Sequence, residues 1–505
     1  MNTFKERFEY LFCSTKGLVL VAISMISIVT AIWGMLSGPM VEWGVKDFIV
    51  KVLGMKLLAI QREGRIIMLY HTIAMAVVAI EVYFMTSIIQ MKKHQQSTIN
   101  ATITFGYLTA MIFGLWFAYF GHNFIFHGLF LFGQSLVFFS GLHLAAALWP
   151  WSKEYLVTDK EYSHTRKGVD LERTAFFVMT VAMLGSALFG AVTGSYWGQG
   201  HETFLAEDLI RTPHKTPLQL AIIGHLHIML TLIAVAITLV VGRWLNFKGI
   251  FHKIAMPLMI FGTIVITLGV WMVVPFEAIA HTIIYVGSVF VMSSALMLVI
   301  FGWRKLIHDR LAEQGIKKGG FWKSLKALLH DPLKFGPLWQ MVFMNFTVSG
   351  IGIFMAVKLD EIFRVWPARE ERITLTGHWH ILSAIIATII LMYYADISGL
   401  KGKARKWFGW ILIIGSDLAF ASVTIFSMKR LFVRQLYQQE VINWTFLLTD
   451  IGLSAVLIIL AVLLLWRLFD LFKGEGTWKK EYQKPELEVN RTTVAAVSAE
   501  EKEVR

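Results

Sequence analysis

The chain of 505 residues has one cysteine, Cys13, which rules out an intramolecular disulfide. It also rules out the paired cysteines that attach c-type haem and the thiolate sets that hold copper or iron–sulfur centres. Any redox cofactor must therefore rest on histidine or methionine. Charge is scarce as well: 16% of residues are charged, against 56% hydrophobic and 14% aromatic, a balance that does not suit a water-exposed surface. Acid is scarcer than base, with 34 Asp and Glu, 47 Lys and Arg, and a net charge of +13. No Lys/Arg cluster is interleaved with exposed aromatics in a soluble segment, so the surplus is not read as a nucleic-acid surface.

Long apolar runs are abundant. Spanning a hydrocarbon core takes about 20 apolar residues as a helix, and twelve such runs fall at 17–38, 66–90, 101–120, 124–148, 174–197, 217–242, 254–275, 278–302, 336–357, 374–395, 406–427 and 442–466. The first lacks a small-residue cleavage site, so no cleavable signal peptide is expected. With both termini on one side, that side carries 33 of the 47 Lys and Arg residues, and the positive-inside rule makes it the cytoplasm. The basic surplus thus reads as orientation. The stretch Arg304 to Lys334 carries a basic, helix-like segment suited to anionic lipid, and Val41–Met55 is amphipathic enough to lie at the opposite interface or to serve as a simple connector. The tail from Asp470 to Arg505 is charged and expected to be mobile.

The most informative pattern is an internal repeat. The second, sixth and tenth runs contain Tyr70-His71-Thr72-Ile73, Gly224-His225-Leu226-His227 and Gly377-His378-Trp379-His380. His225 follows His71 by 154 residues and His378 follows His225 by 153, while His127 and His281 are also 154 apart. The expected architecture is an all-α integral membrane protein of twelve transmembrane helices in three pseudo-repeated four-helix units, 17–148, 174–302 and 336–466. A cytoplasmic N-terminus (1–16), a basic linker (303–335) and the tail (470–505) flank or join them. The repeated histidines lie at one depth, near the outer face. Residues two apart on an α-helix differ by about 200° around its axis, so each His-x-His pair serves two different centres. Around a pseudo-threefold axis, pairing His380 with His71 generates His227 with His378, and then Ile73 with His225. Two sites are complete, and the third lacks a ligand. Neutral imidazoles from facing helices suit a six-coordinate electron-transfer haem, whereas His143 and His281 taken singly are as well explained by packing.

These motifs resemble the haem–copper oxidase superfamily, most closely the large subunit of nitric oxide reductase. The local sequence Thr376-Gly377-His378-Trp379-His380-Ile381-Leu382-Ser383 is similar to the helix-ten motif of that family. The resemblance implies twelve helices in three arcs, a low-spin haem b held by His71 and His380, and a second haem held by His378. It also implies a basic pair on the haem propionates, for which Lys429, Arg430 and Arg434 are placed, with a solvated rim cluster as the plain alternative. Two features depart from the family. The seventh run has no histidine for a nonhaem metal, and the residue four after His225 is Met229, where the family has a tyrosine or glutamate.

Two functions follow. In the first, His227 closes the second haem opposite His378, and the protein relays electrons between two bis-His haems b. In the second, His225 or His227, with His281 and Glu277, holds a nonhaem iron or copper, and the protein reduces nitric oxide or oxygen as a terminal reductase. Glu277 and His281 share a helix face at i, i+4, although a first-turn carboxylate explains Glu277 equally well. His122 and His127 are further ligand or propionate candidates, and Asp396, Asp417 and Asp450 are polar groups at membrane depth suited to a proton path or to structural bonds. The expected setting is a prokaryotic cytoplasmic (inner) membrane. Electrons are exchanged with quinol, a c-type cytochrome or further respiratory-complex subunits, which dock on the segments before helices two, six and ten.

Overall fold

The computed structural model describes residues 2–36, 41, 43–57, 62–121, 123–196, 216–317 and 319–483. These residues contain no β-strand. Twelve helices among them are long and apolar enough to cross a membrane: α1 (Thr15–Met35), α2 (Gly64–Ile88), α3 (Lys93–Phe120), α4 (Phe124–Ala147), α5 (Leu171–Thr193), α6 (Pro217–Trp244), α7 (Gly249–Met272), α8 (Glu277–Glu313), α9 (Pro332–Val357), α10 (Gly377–Ile397), α11 (Gly402–Phe432) and α12 (Gln435–Phe472). A chain this apolar adopts helices because hydrocarbon offers backbone N–H and C=O groups no partner outside their own segment. The protein is an all-α, multi-pass membrane protein.

Two compact units divide the chain. The first comprises Met1–Trp149, Met183–Leu205 and Leu468–Val489; the second comprises Pro150–Ala182, Ala206–Arg467 and Asn490–Arg505. The expected first four-helix unit, 17–148, falls within the first. The expected second and third lie mostly together in the second, where α6 packs on α10 and α9 packs on α8, α10 and α11.

Glycine sets the closest helix approaches. A Cβ at Gly133 of α4 would lie 2.5 Å from the Ala110 amide nitrogen of α3. One at Gly287 of α8 would lie 2.6 Å from the Ile266 amide nitrogen of α7. One at Gly452 of α12 would lie 2.5 Å from the Gly415 carbonyl of α11. Each hairpin thus brings backbone against backbone, the dispersion-driven packing that replaces the hydrophobic effect inside a membrane.

Several polar pairs lock helices together. In the first unit, Tyr83 of α2 lies 2.6 Å from the Thr104 hydroxyl of α3, and the Thr86 hydroxyl donates to Asn100 at 2.9 Å. In the second, Trp339 of α9 donates to Asp417 of α11 at 2.7 Å, joined by the Gln340 amide at 3.0 Å.

The start of the expected mobile tail is anchored. Asp470 accepts hydrogen bonds from the Thr477 amide at 2.8 Å, its hydroxyl at 2.7 Å and the Trp478 amide at 3.0 Å. Trp478 is fully buried, 6.0 Å from the Tyr10 ring, and the Tyr10 hydroxyl donates to Glu481 at 2.8 Å. Composition signalled a solvated tail, but one tryptophan and one capping aspartate outweigh its charge as far as residue 483. Residues 484–505 lie outside the described residues. The segment Val41–Met55 forms a helix, Val45–Leu53, with no buried residue and with Phe48 and Val52 exposed beside Trp43. The basic linker carries a helix, Phe321–Leu328, that exposes Phe321 and Trp322. Both have the form of interfacial helices.

Candidate functional site

A capping box starts α6. The Thr216 hydroxyl accepts from the Gln219 amide, the Gln219 side chain accepts from the Thr216 amide, and Pro217 occupies the first turn. Three turns on, His227 Nδ1 lies 2.8 Å from the Ile223 carbonyl oxygen. A carbonyl only accepts, so Nδ1 carries the proton and Nε2 keeps its lone pair. Nε2 accepts from the indole N–H of Trp379 on α10, at 3.1 Å, and the two rings meet edge to face at 4.7 Å. The His378 ring lies 6.3 Å from that of His227. Helices α6 and α10 therefore bring the His227 and His378 rings near each other, their planes tilted by 38°.

The helix pair is tied again at its other end. Trp244 of α6 donates to Asp396 of α10 at 2.7 Å, Asp396 also pairs with Arg405 of α11, and Trp244 lies 4.8 Å from the Tyr393 ring. This tie holds the far end of α6 against α10. Asp396 is thus a structural acceptor, as Asp417 is for Trp339 and Gln340, while Asp450 is exposed.

Against the Cδ2–Nε2 edge of His378 runs α9, which changes its winding to a π-helical turn at Met344–Gly350, a feature common at functional positions. Just after it, a Cβ added at Gly352 would lie 3.4 Å from the His378 ring, in ordinary contact. Anything larger would meet the imidazole. Gly352 and Trp379 are site residues that sequence reasoning did not single out. Only the position of Trp379 between two histidines signalled the second.

His71 lies in the first unit, half-buried on α2, with Nδ1 2.8 Å from the Ile67 carbonyl. It has the same tautomer as His227. Ligating histidines characteristically donate their second ring N–H to a carbonyl or carboxylate, which orients the ring and leaves Nε2 for the metal. The Nδ1–H to carbonyl bond of His71 and His227 fits an imidazole ligand of iron, with Nε2 of His227 held by Trp379 in this structure. His380 is exposed and His225 half-buried within the second unit.

His281 is exposed on α8 and stacked with Tyr285 at 6.5 Å. Glu277 is exposed in the first turn of α8. His127 is exposed and stacks on Phe117 at 4.9 Å, and His143 is exposed on α4; His122 lies outside the described residues. Among the described residues, no three His, Cys, Asp or Glu side chains form a group able to hold a metal ion.

The expected basic pair has a partner from this chain. Arg430 makes a two-point ion pair with Glu370, with one contact at 3.2 Å, and the buried Lys429 ammonium lies 3.9 Å from the same carboxylate. The hydrogen bond from Arg430, helped by the Lys429 charge, holds the Glu370 carboxyl below its usual range. Arg434 is exposed. A buried acid, Glu81, sits ten residues beyond His71 on α2, with both carboxyl oxygens lacking a hydrogen-bond partner among the described residues. Its helix period places it off the face that Tyr83 and Thr86 turn to α3.

No protein-family model matches this chain, and neither a curated protein nor a solved structure is significantly similar to it. The site stands on its own geometry.

Proposed function

We propose that the protein is a multi-haem cytochrome b of the haem–copper oxidase and nitric oxide reductase type, relaying electrons between a respiratory donor and acceptor. The observation that carries this reading is the approach of the His227 and His378 rings, 6.3 Å apart between centres, with the proton of His227 on Nδ1. Two imidazoles sharing one metal at bonds of about 2.0–2.1 Å set their ring centres about 6 Å apart. His227 and His378 would hold one haem b, and His71 with His380 the other. A bis-imidazole haem supplies reversible one-electron exchange with no open position for a gas. The chain's own contribution is to fix the ring tautomers, to hold α6 against α10 through Trp244 and Asp396, and to keep the imidazoles in an apolar layer.

The three histidine motifs and the three glycine-set hairpins support a threefold repeat of four-helix units. The distribution of Lys and Arg supports cytoplasmic termini in a prokaryotic cytoplasmic membrane, with the histidine layer toward the outside. Quinol, a c-type cytochrome or another subunit would exchange electrons there. Lys429 and Arg430 would serve propionates only by sharing or giving up Glu370.

A second reading, a nitric oxide or oxygen reductase with an unconventional nonhaem metal, draws on Glu277 and His281 one turn apart in the first turns of α8. Substitution with haem-resolved spectra separates the two. Under the relay, His71→Ala and His380→Ala lose the same haem while His227→Ala alters the other; retention of both haems in the first pair sinks the ligand assignment. A stoichiometric nonhaem metal, lost in His281→Ala, would favour the reductase instead.

A further inference from the structure

The His227 imidazole has one lone pair, and Trp379 holds it. Its other nitrogen is committed to the Ile223 carbonyl at 2.8 Å, so Nε2 is the only atom His227 can offer to a metal. That atom is the acceptor for the Trp379 indole N–H at 3.1 Å. The indole is a donor with no acceptor atom of its own, and within a membrane a donor that loses its partner finds no water to replace it. Trp379 is covalently next to His378, and their rings lie 5.5 Å apart. The same helical turn that presents His378 therefore presents the group competing for His227.

We infer that Trp379 is a ligand latch: its N–H draws His227 away from the position opposite His378, making that position exchangeable on a metal held there. The inference rests on the proposed haem at His227 and His378, and it names a positioning residue for that site. Two arrangements of His227 compete, one on the iron and one on the indole. The hydrogen bond shifts their balance by about fivefold, as an ordinary net hydrogen bond does. The latch has a functional consequence: the second haem exchanges electrons as a closed centre, yet opens to a small ligand faster than a bis-imidazole site without the indole would.

The test uses the full-length chain purified in detergent, with haem quantified and carbon monoxide mixed with the reduced protein. Trp379→Phe keeps an aromatic ring and removes the N–H. It is expected to bind carbon monoxide about fivefold more slowly than the parent chain and to show a larger low-spin fraction in the ferric state. Trp379→Tyr restores a donor and should fall nearer the parent. His227→Ala should bind carbon monoxide fast, and adding Trp379→Phe to it should change nothing further. Identical ligand kinetics and spin state in the parent and Trp379→Phe would overturn the latch while leaving the haem assignment standing. An equal effect of Trp379→Phe in the His227→Ala background would also overturn it, because the indole would then act on packing alone. A parent chain without haem would remove the reading beneath the latch, and the latch with it.

Discussion

At the residue scale, the two histidines with resolved tautomers follow one local rule. His71 and His227 each donate Nδ1–H to the carbonyl four residues back, at 2.8 Å, so the helix itself sets the protonated nitrogen. The sequence pattern identified both residues and their repeat, but not this bond, which depends on rotamer. It could not identify Gly352 either, since the need for a small residue there arises from α9 passing against the Cδ2–Nε2 edge of His378. Gly352→Leu should therefore displace the His378 ring and lower occupancy of the second haem selectively, which haem quantification with low-spin spectra would show; unchanged occupancy would mean that α9 yields freely. Glu81 offers a different test. A buried carboxyl with no hydrogen-bond partner costs about 1–3 kcal/mol, so Glu81→Leu should raise the thermal midpoint of the purified chain. A lower midpoint would show that the carboxyl has a stabilising partner in the membrane-embedded protein.

At the element scale, apolar runs locate helices better than they locate helix ends. The run 278–302 lies within a helix of 37 residues, Glu277–Glu313. Its charged extension is supported by the i, i+4 pair Lys305–Asp309 and the i, i+3 pair Arg310–Glu313, which carry no hydropathy signal. The purpose of Gly133 in α4 and Gly287 in α8 appears only in their close approach to α3 and α7. Gly133→Leu and Gly287→Leu should each destabilise the chain by about 1–3 kcal/mol through overpacking, read as a drop in thermal midpoint. Gly128→Leu, where an added Cβ meets nothing within 4 Å, is the control. The Glu370 cluster joins the N-terminal extension of α10 to the end of α11, sixty residues apart in sequence, so inspection of Lys429 and Arg430 alone did not reveal their acid partner. Because pairing depresses the Glu370 carboxyl below its ordinary value of 4.5, the pair contributes stability above that pH and loses it as pH falls through the depressed value. Glu370 is half-buried and keeps solvent contact, so screening limits the gain to about 0–1 kcal/mol. Thermal midpoints of the parent and Glu370→Gln should differ at neutral pH and converge in acid; a gap independent of pH would assign the effect to packing.

At the scale of the whole molecule, composition was sufficient for the class: twelve apolar runs became twelve helices long enough to span a membrane. It was insufficient for the termini, where Trp478 and Asp470 fasten residues 470–483 within the first unit. Trp478→Ala should cost about 3–5 kcal/mol of stability, and limited proteolysis should then cut ahead of residue 484. The grouping of the second and third expected four-helix units into one compact body was likewise hidden, because it depends on indole-to-carboxylate bonds such as Trp244 to Asp396 between distant helices. The central claim, that repeated histidines on α2, α6 and α10 hold two haems, is tested most directly by counting haem b in the purified full-length chain with the pyridine haemochrome spectrum. The account predicts two haems b per chain. A chain that contains no haem would contradict it.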